Sequence, residues 1–438
     1  MGHLQFLRRE YSDLVSRLQA GPVGLPEPKD EKARAGWQEI LEIMYSPEDA
    51  ALASRLPIRP ATLRQIADRV GGTAEELRPR LEAMAERGLV MDIVDPRTGE
   101  ALYLLAPPVV GFFEFSMMRA HDAIPKKRMA EALDAYTHGD DTFAREAFGY
   151  ETVIGRAMVH ETAIPDSVES EVLDYERATA AIKDARSLAV SMCYCRHKAE
   201  HLGKRCDAPI ETCMSLDGGA DFVLRRNFGR KIDRAEGLDL LAQARASGLV
   251  HISDNVQHRP AWICSCCACC CGILQATNEF GIPSVNPSGF HAGSDAEKCI
   301  GCSRCARACP IGVITMQPRR TQAKRKNEMY SVVDVERCIG CGVCADTCRK
   351  DAMHMHRRAT MPYVPLNAVE RAIRQALERG NLPHLLFDAG AGRGTRMLNL
   401  MLQALCRLPA VDRVVASDQL RSRFVRAVVR GSSGASWA

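Results

Sequence analysis

The sequence predicts an α+β, multidomain protein, and three observations lead to that reading. Its 438 residues suggest roughly three domains, each large enough to bury a core. Helical periodicity in some stretches gives way elsewhere to short apolar runs flanked by turn residues. The cysteines are not scattered: 18 of 19 fall between Cys193 and Cys348. The expected plan is a helix and linker over 1–34, a helical module closed by a hairpin over 35–118, and a helical stretch over 119–185. A cysteine-rich α/β middle over 186–290, a duplicated cysteine segment over 291–358 and a helical tail over 360–438 complete it.

The first element, LQFLRREYSDLVSRL, reads as an amphipathic helix, and the three prolines of GPVGLPEPKDE end it. From Trp37, WQEILEIMYS, ATLRQIADRV and TAEELRPRLEAMAERG read as three helices, the last opened by a capping box of Thr73 with Glu76. LVMDIV, the turn DPRTGE and ALYLLA then read as a hairpin. Three helices and a hairpin in this order resemble a winged helix-turn-helix, which implies DNA binding. Glu75 and Glu76 stand in the first turn of the expected recognition helix, however. Residues 59–100 hold seven basic against eight acidic side chains. No cationic footprint for phosphate appears, so a scaffold or protein-contact role is favoured, while Arg78, Arg80 and Arg87 keep a regulator as the alternative.

Further on, SLAVSMCYC reads as a buried strand that delivers Cys193 and Cys195 at its exit. Helical segments rich in Leu and Met follow Pro362, and the chain ends in RGSSGASWA, whose small polar residues suit a disordered terminus.

Composition narrows the function. The longest apolar run, ALYLLAPPVVGFFEF, is too short and too proline-broken to span a bilayer. Arg8-Arg9 lacks the apolar stretch a twin-arginine leader needs, so a cytoplasmic location is expected. A net charge of +4 from 58 basic and 54 acidic residues indicates no polyanionic partner. Dense thiols in a long chain without a leader point to metal or cluster binding rather than disulfides.

The strongest pattern is a repeat. EKCIGCSRCARACP at Glu297–Pro310 recurs as ERCIGCGVCADTCR at Glu336–Arg349, and Asp295, Glu297 and Cys299 align with Asp334, Glu336 and Cys338 at an offset of 39. Each copy reads Cys-x2-Cys-x2-Cys-x3-Cys. Three thiolates two residues apart wrap a loop around one face of a cubane, with Gly301 and Gly340 permitting the turn. This segment closely resembles a two-cluster bacterial-type ferredoxin. In that family the fourth cysteine of each motif ligates the other cluster. The resemblance implies two [4Fe-4S] clusters, one held by Cys299, Cys302, Cys305 and Cys348, the other by Cys338, Cys341, Cys344 and Cys309. The first copy ends in Cys309-Pro310 as the family does, the second in Cys348-Arg349, which bears on local geometry and potential rather than on ligation. The basic PRRTQAKRK between the copies and HMHRR after them suit either a solvated loop or a docking surface for an acidic redox partner.

Ten more cysteines lie upstream. CYCRHKAEHLGKRCDAPIETC supplies Cys193, Cys195, Cys206 and Cys213, and CSCCACCC supplies Cys264, Cys266, Cys267, Cys269, Cys270 and Cys271. Neither block has ferredoxin or zinc-finger spacing, so ligation by combination across both is expected. A third iron–sulfur cluster is the favoured occupant, with structural zinc and redox-active thiols as alternatives.

Two further motifs are weaker. HKAEH at His197–His201 matches an inverted zinc-protease pattern with both His on one helical face, but the surrounding thiols would compete for zinc. HLLFDAGAGRGT resembles the first nucleotide loop of class I methyltransferases through Asp388, Gly390, Gly392 and Gly394, with Asp418 as a ribose contact. The 44 residues after Gly394 leave little room for the rest of a doubly wound sheet, so a glycine-rich turn before a packing helix is preferred, with Cys406 a core thiol. No catalytic base, flavin loop or substrate pocket is legible. The expected function is therefore electron transfer, as a carrier or a subunit serving a redox partner rather than a complete catalyst.

Overall fold

The computed structural model describes residues 9–387 except 96, 166, 168–171 and 320–328. The Asp388–Gly394 loop, Asp418, Cys406 and most of the basic PRRTQAKRK stretch lie outside the described residues. Two compact units divide the chain: one holds residues up to Thr152, Phe222–Phe228 and those from Ala368, the other Val153–Asp221 and Gly229–Asn367.

In the first unit, α1 (Arg9–Gln19) precedes α2 (Glu31–Met44). The latter starts inside the stretch expected to be linker, because the Asp30 carboxylate accepts from the Ala33 N–H and caps it. A short α3 (Pro47–Ala53), absent from the sequence reading, is started by Ser46 as N-cap with Pro47 at the first position. Next come β1 (Ala61–Thr62), α4 (Leu63–Val70), α5 (Ala74–Glu86), β2 (Val90–Val94) and β3 (Ala101–Leu105). The expected capping box of Thr73 and Glu76 forms, and a second joins Thr62 to Gln65. The hairpin pairs Val90 with Leu105, and β1 adds to β3 on its other edge, giving the order β1-β3-β2. Asp92 is buried on β2 and accepts from Arg225 and Arg226 at 2.8 Å each, and Arg226 also reaches Glu82. Beyond a short α6 (Phe113–Phe115) lie α7 (Lys126–His138) and α8 (Thr142–Phe148). The first of these packs on α2 where Gly36 leaves room: a Cβ there would stand 2.6 Å from the Ala132 carbonyl. The helices Ala368–Glu378 and Leu382–Phe387 belong to the same unit.

The second unit is built on a seven-stranded mixed sheet. Its strands are β4 (Gly155–Met158), β5 (Leu188–Met192), β6 (Glu211–Leu216), β7 (Arg230–Lys231), β8 (Val250–Asp254), β9 (Trp262–Cys266) and β10 (Val285–Asn286). The order is β10-β4-β8-β9-β6-β5-β7, antiparallel except for β10 on β4. Strand β4 falls within the 119–185 stretch expected to be helical; four buried residues are too short a run to announce a strand by alternation. Interleaved helices are α9 (Ala178–Asp184), α10 (Tyr194–His201), α11 (Asp217–Arg225, which ends in the first unit), α12 (Arg234–Ala246) and α13 (Gly272–Phe280). Leu188, Val190, Met214, Leu216 and Ile263 turn to one side of the sheet and bury against Ile182 of α9 and Leu241 of α12. Alternation along β6 and β9 therefore puts Cys213, Cys264 and Cys266 on the opposite face.

The duplicated segment forms a smaller body of two antiparallel pairs. Strand β11 (Phe290–Ser294) pairs with β14 (Met353–Arg357), and β12 (Ile314–Pro318) with β13 (Met329–Val333). One turn of helix follows each Cys-x2-Cys: α14 (Arg304–Ala308) and α15 (Val343–Asp346). The 39-residue offset maps β11 onto β13 and β12 onto β14, so the repeat in sequence is a repeat in backbone. Among the described residues no helix is long and apolar enough to cross a membrane.

Candidate metal centre

All 18 cysteines between Cys193 and Cys348 are free thiols. In the duplicated segment they line two cavities. One of about 230 Å³ is bordered by Cys299, Cys302 and Cys305 of the first copy and by Cys348 of the second. The other is bordered by Cys338, Cys341 and Cys344 with Cys309. Each cavity thus draws three thiols from one copy and the fourth from the other.

Backbone conformation explains the tight loops. Gly301 and Gly340 both adopt φ of +70°, and a Cβ at Gly301 would stand 2.6 Å from the Met329 carbonyl, while one at Gly340 would run into the Phe290 carbonyl. Two residues on, Gly342 is also left-handed at +85°, and its counterpart Ser303 takes the same region at +59° despite its side chain.

Hydrogen bonds converge on the sulfurs in matching pairs. The Val313 N–H donates to Cys309 Sγ and the Ala352 N–H to Cys348 Sγ, both at 3.4 Å. The Ala292 N–H donates to Cys338 Sγ at 3.5 Å. At the equivalent place in the other half, the buried Ser331 brings its hydroxyl 3.6 Å from Cys299 Sγ, as well as its N–H. Burial raises the Cys299 thiol, but the N–H groups of Gly301 and Ser331, the Ser331 hydroxyl and Arg319 outweigh it, leaving the group below the ordinary thiol range. Cys341 and Cys344 are enclosed more completely: burial pushes Cys341 up to about 12 and Cys344 higher still. A thiol so disfavoured as a free anion ionises when a cation binds it. Four thiols around a cavity, with N–H donors aimed at sulfur, fit an iron–sulfur cubane.

The two halves differ in access. Cys302 and Ile300 are exposed beside the first cavity, which Arg304, Arg349 and Lys350 also border. Cys338, Cys341 and Cys344 are buried, with His160 packed on their loop: its N–H donates to the Cys341 carbonyl at 3.0 Å, and its ring nitrogens face Asp346 Oδ2 at 2.7 Å and the Leu249 carbonyl at 3.0 Å. Sequence reasoning missed His160, since nothing local marks a residue that acts through a distant loop.

The ten upstream cysteines meet across the two sequence blocks and separate into two groups. Strand β5 ends at Met192, and Cys193, as expected, follows at its exit as the N-cap of α10. Antiparallel pairing of β6 with β9 sets Cys213 opposite Cys264, with sulfurs 4.0 Å apart. Side-chain contacts continue from Cys264 to Cys266, Cys271, Cys195 and Cys193, a string of six thiols. The remaining four, Cys206, Cys267, Cys269 and Cys270, form a separate group whose sulfurs all lie within 4.8 Å of one another. Arg196 is wholly buried between the groups and bonded to the Ser265 carbonyl and the Thr212 hydroxyl. Burial disfavours its charge, but the thiols of Cys193, Cys267 and Cys266 more than restore it and raise it above the usual arginine value. His197 and His201 do share a helical face, with Nε2 atoms 3.2 Å apart, yet among the described residues no third metal-ligating side chain joins them.

Residues 298–352 match the family described as the 4Fe-4S dicluster domain. The match covers the duplicated segment and supports iron–sulfur binding there. No curated protein and no solved structure matches the chain.

Proposed function

We propose that the protein is an electron carrier or a subunit of a cytoplasmic oxidoreductase, holding two [4Fe-4S] clusters with exchanged fourth ligands. Cys299, Cys302, Cys305 and Cys348 hold one; Cys338, Cys341, Cys344 and Cys309 hold the other. The observation that carries this reading is the lining of the two cavities, three thiols from one copy and one from its repeat in each. Cubanes bound this way supply one-electron storage at two neighbouring points. The protein residues set their environment: N–H and O–H donors stabilise charge on sulfur, and His160 and Phe290 fix the loop around Cys341. Exposed Cys302 among Arg304, Arg349 and Lys350 marks the edge where an acidic redox partner docks.

Anaerobic iron and acid-labile sulfide analysis with EPR tests the reading. At least about eight irons per chain are expected, with two low-potential signals on reduction. The exchange of ligands is tested by Cys309→Ser, which is expected to disturb the cluster of Cys338, Cys341 and Cys344 and spare the other. Iron-free protein without labile sulfide would end the proposal.

The domain plan stays part of the same reading, with 35–118 as a winged-helix-like module and 291–358 as the ferredoxin-type domain. An iron–sulfur-dependent regulator is the second reading, and α5 argues against it. The side chain of Glu76 occupies the Thr73 N–H at the helix start, Arg80 bonds the Glu48 carbonyl, and Arg87 pairs with Asp49 at 2.5 Å. Two of the three arginines that favoured DNA are thus committed within the protein, and a gel shift with holo and apo protein is expected to show no sequence-selective binding. The methyltransferase alternative rests on residues outside those described; calorimetry with S-adenosylmethionine is expected to show no binding.

A further inference from the structure

We infer that Cys206, Cys267, Cys269 and Cys270 hold a single zinc ion in a closed tetrahedral tetrathiolate site, distinct from the two cubanes and from the string of six thiols. The site is absent from any one stretch of sequence: Cys206 lies in the loop between α10 and β6, the other three in the turn between β9 and α13. It rests on geometry that separates one metal ion from a cluster.

A zinc–thiolate bond is about 2.3 Å long, so four sulfurs at the corners of a tetrahedron stand about 3.8 Å apart. The observed separations are 3.7 Å for Cys206–Cys267, 3.9 Å for Cys206–Cys270 and 3.6 Å for Cys269–Cys270. In a cubane each thiolate binds a different iron and points outward from a separate corner, which spreads the sulfurs beyond that edge. The ferredoxin-type thiols behave in this second way: among the described residues, only the Cys206 group brings three or more donor atoms all within 4.8 Å of one another. The expectation of a third cluster drawn from both blocks therefore does not extend to these four residues.

Charge supplies an independent argument. Arg196 is 0% exposed, and its hydrogen bonds run to a carbonyl, a hydroxyl and, at 3.8 Å, the Cys267 sulfur; its Nε has no partner. A guanidinium buried without a carboxylate needs an anion, and zinc with four thiolates carries a net charge of −2. Thiolates supply that anion from both sides, Cys267 from this group and Cys193 and Cys266 from the string of six, and neutral thiols throughout would leave the cation uncompensated. On binding, the four thiols give up their protons to solvent and the metal stays divalent, so no electron moves. The ion would pin the Cys206 loop to the start of α13, whose Asn278 donates to the Pro310 carbonyl next to Cys309 at 3.0 Å. Zinc in this place is a structural clamp beside the electron path.

Full-length protein purified anaerobically is expected to contain about one zinc per chain, with X-ray absorption at the zinc edge giving four sulfur scatterers at about 2.3 Å. Cys206→Ser is expected to lose most of the zinc while iron, labile sulfide and the reduced EPR signals stay at wild-type level. Nitrogen or oxygen scatterers at zinc, an iron atom in its place, or loss of about four irons in Cys206→Ser would each overturn the inference. The absorption measurement on wild-type protein stands even if the variant fails to fold. The dicluster reading fails separately, by absence of labile sulfide with zinc still present.

Discussion

Replacing Ser331 by alanine removes one hydroxyl from the cluster proposed at Cys299 and leaves the other cluster untouched. The two halves are otherwise equivalent here. Position 292 in the first copy is already alanine and gives Cys338 only a backbone N–H, whereas Ser331 gives Cys299 both its N–H and its hydroxyl. Ser331→Ala therefore makes one half imitate the other without adding bulk. A hydrogen bond to a charged acceptor is worth about 1.5–3 kcal/mol net. Both oxidation states of a cubane with four thiolates are anionic, so only the strengthening on reduction enters the potential, about 0.5–1 kcal/mol of that total. With about 59 mV and 1.4 kcal/mol each standing for a tenfold change in a one-electron equilibrium, the potential is expected to fall by about 20–40 mV. An anaerobic EPR-monitored redox titration reads both couples. Ser294→Ala is the control, since Ser294 Oγ contacts Ser331 Oγ at 2.7 Å but does not reach the sulfur through that bond. Two unmoved couples, a rise in potential, or an equal shift in both would refute the assignment of that hydroxyl to one cluster.

Three other outcomes are expected. Gly340→Ala forces a side chain into a φ of +70° against the Phe290 carbonyl, so it is expected to lose about half the iron, read by elemental analysis; retention of all iron would show that the loop relaxes. Burial, then the neighbouring His160 and Arg245, lowers His251 to about 3 from its ordinary 6.5, so the unfolded chain binds the extra proton between these values. That contribution is whole above pH 6.5 and is lost as pH falls, at roughly 1.4 kcal/mol per unit, and His251→Gln is expected to flatten this part of the stability profile measured by denaturant titration. Asp92→Ala removes from β2 the carboxylate that Arg225 and Arg226 share and is expected to destabilise the first unit by about 3–5 kcal/mol in thermal unfolding; a loss under 1 kcal/mol would mean the guanidinium groups find other acceptors.

Much of the site was legible because its information is local. A Cys-x2-Cys-x2-Cys loop carries its own geometry, and the identical offset of 39 marks the duplication in the sequence alone. Capping followed the same logic: Thr73 with Glu76 was readable at a distance of three residues, and the β2–β3 hairpin from its turn. Elements that failed to appear were short or context-bound, such as β4, whose buried Gly155–Met158 is a strand only because β8 and β10 flank it.

The chain by itself determined which residues have the chemistry to bind metal, and it determined the repeat, because ligand type and loop spacing are written along the backbone. Only the tertiary structure decided how the thiols divide. Cys213 faces Cys264 through the register of two antiparallel strands, and Cys206 meets Cys267 at a sequence separation of 61 because a sheet brings their loops together. Register and loop approach come from burying Ile182, Leu188 and Ile263 in one core, a collective balance to which no single cysteine motif contributes a signal.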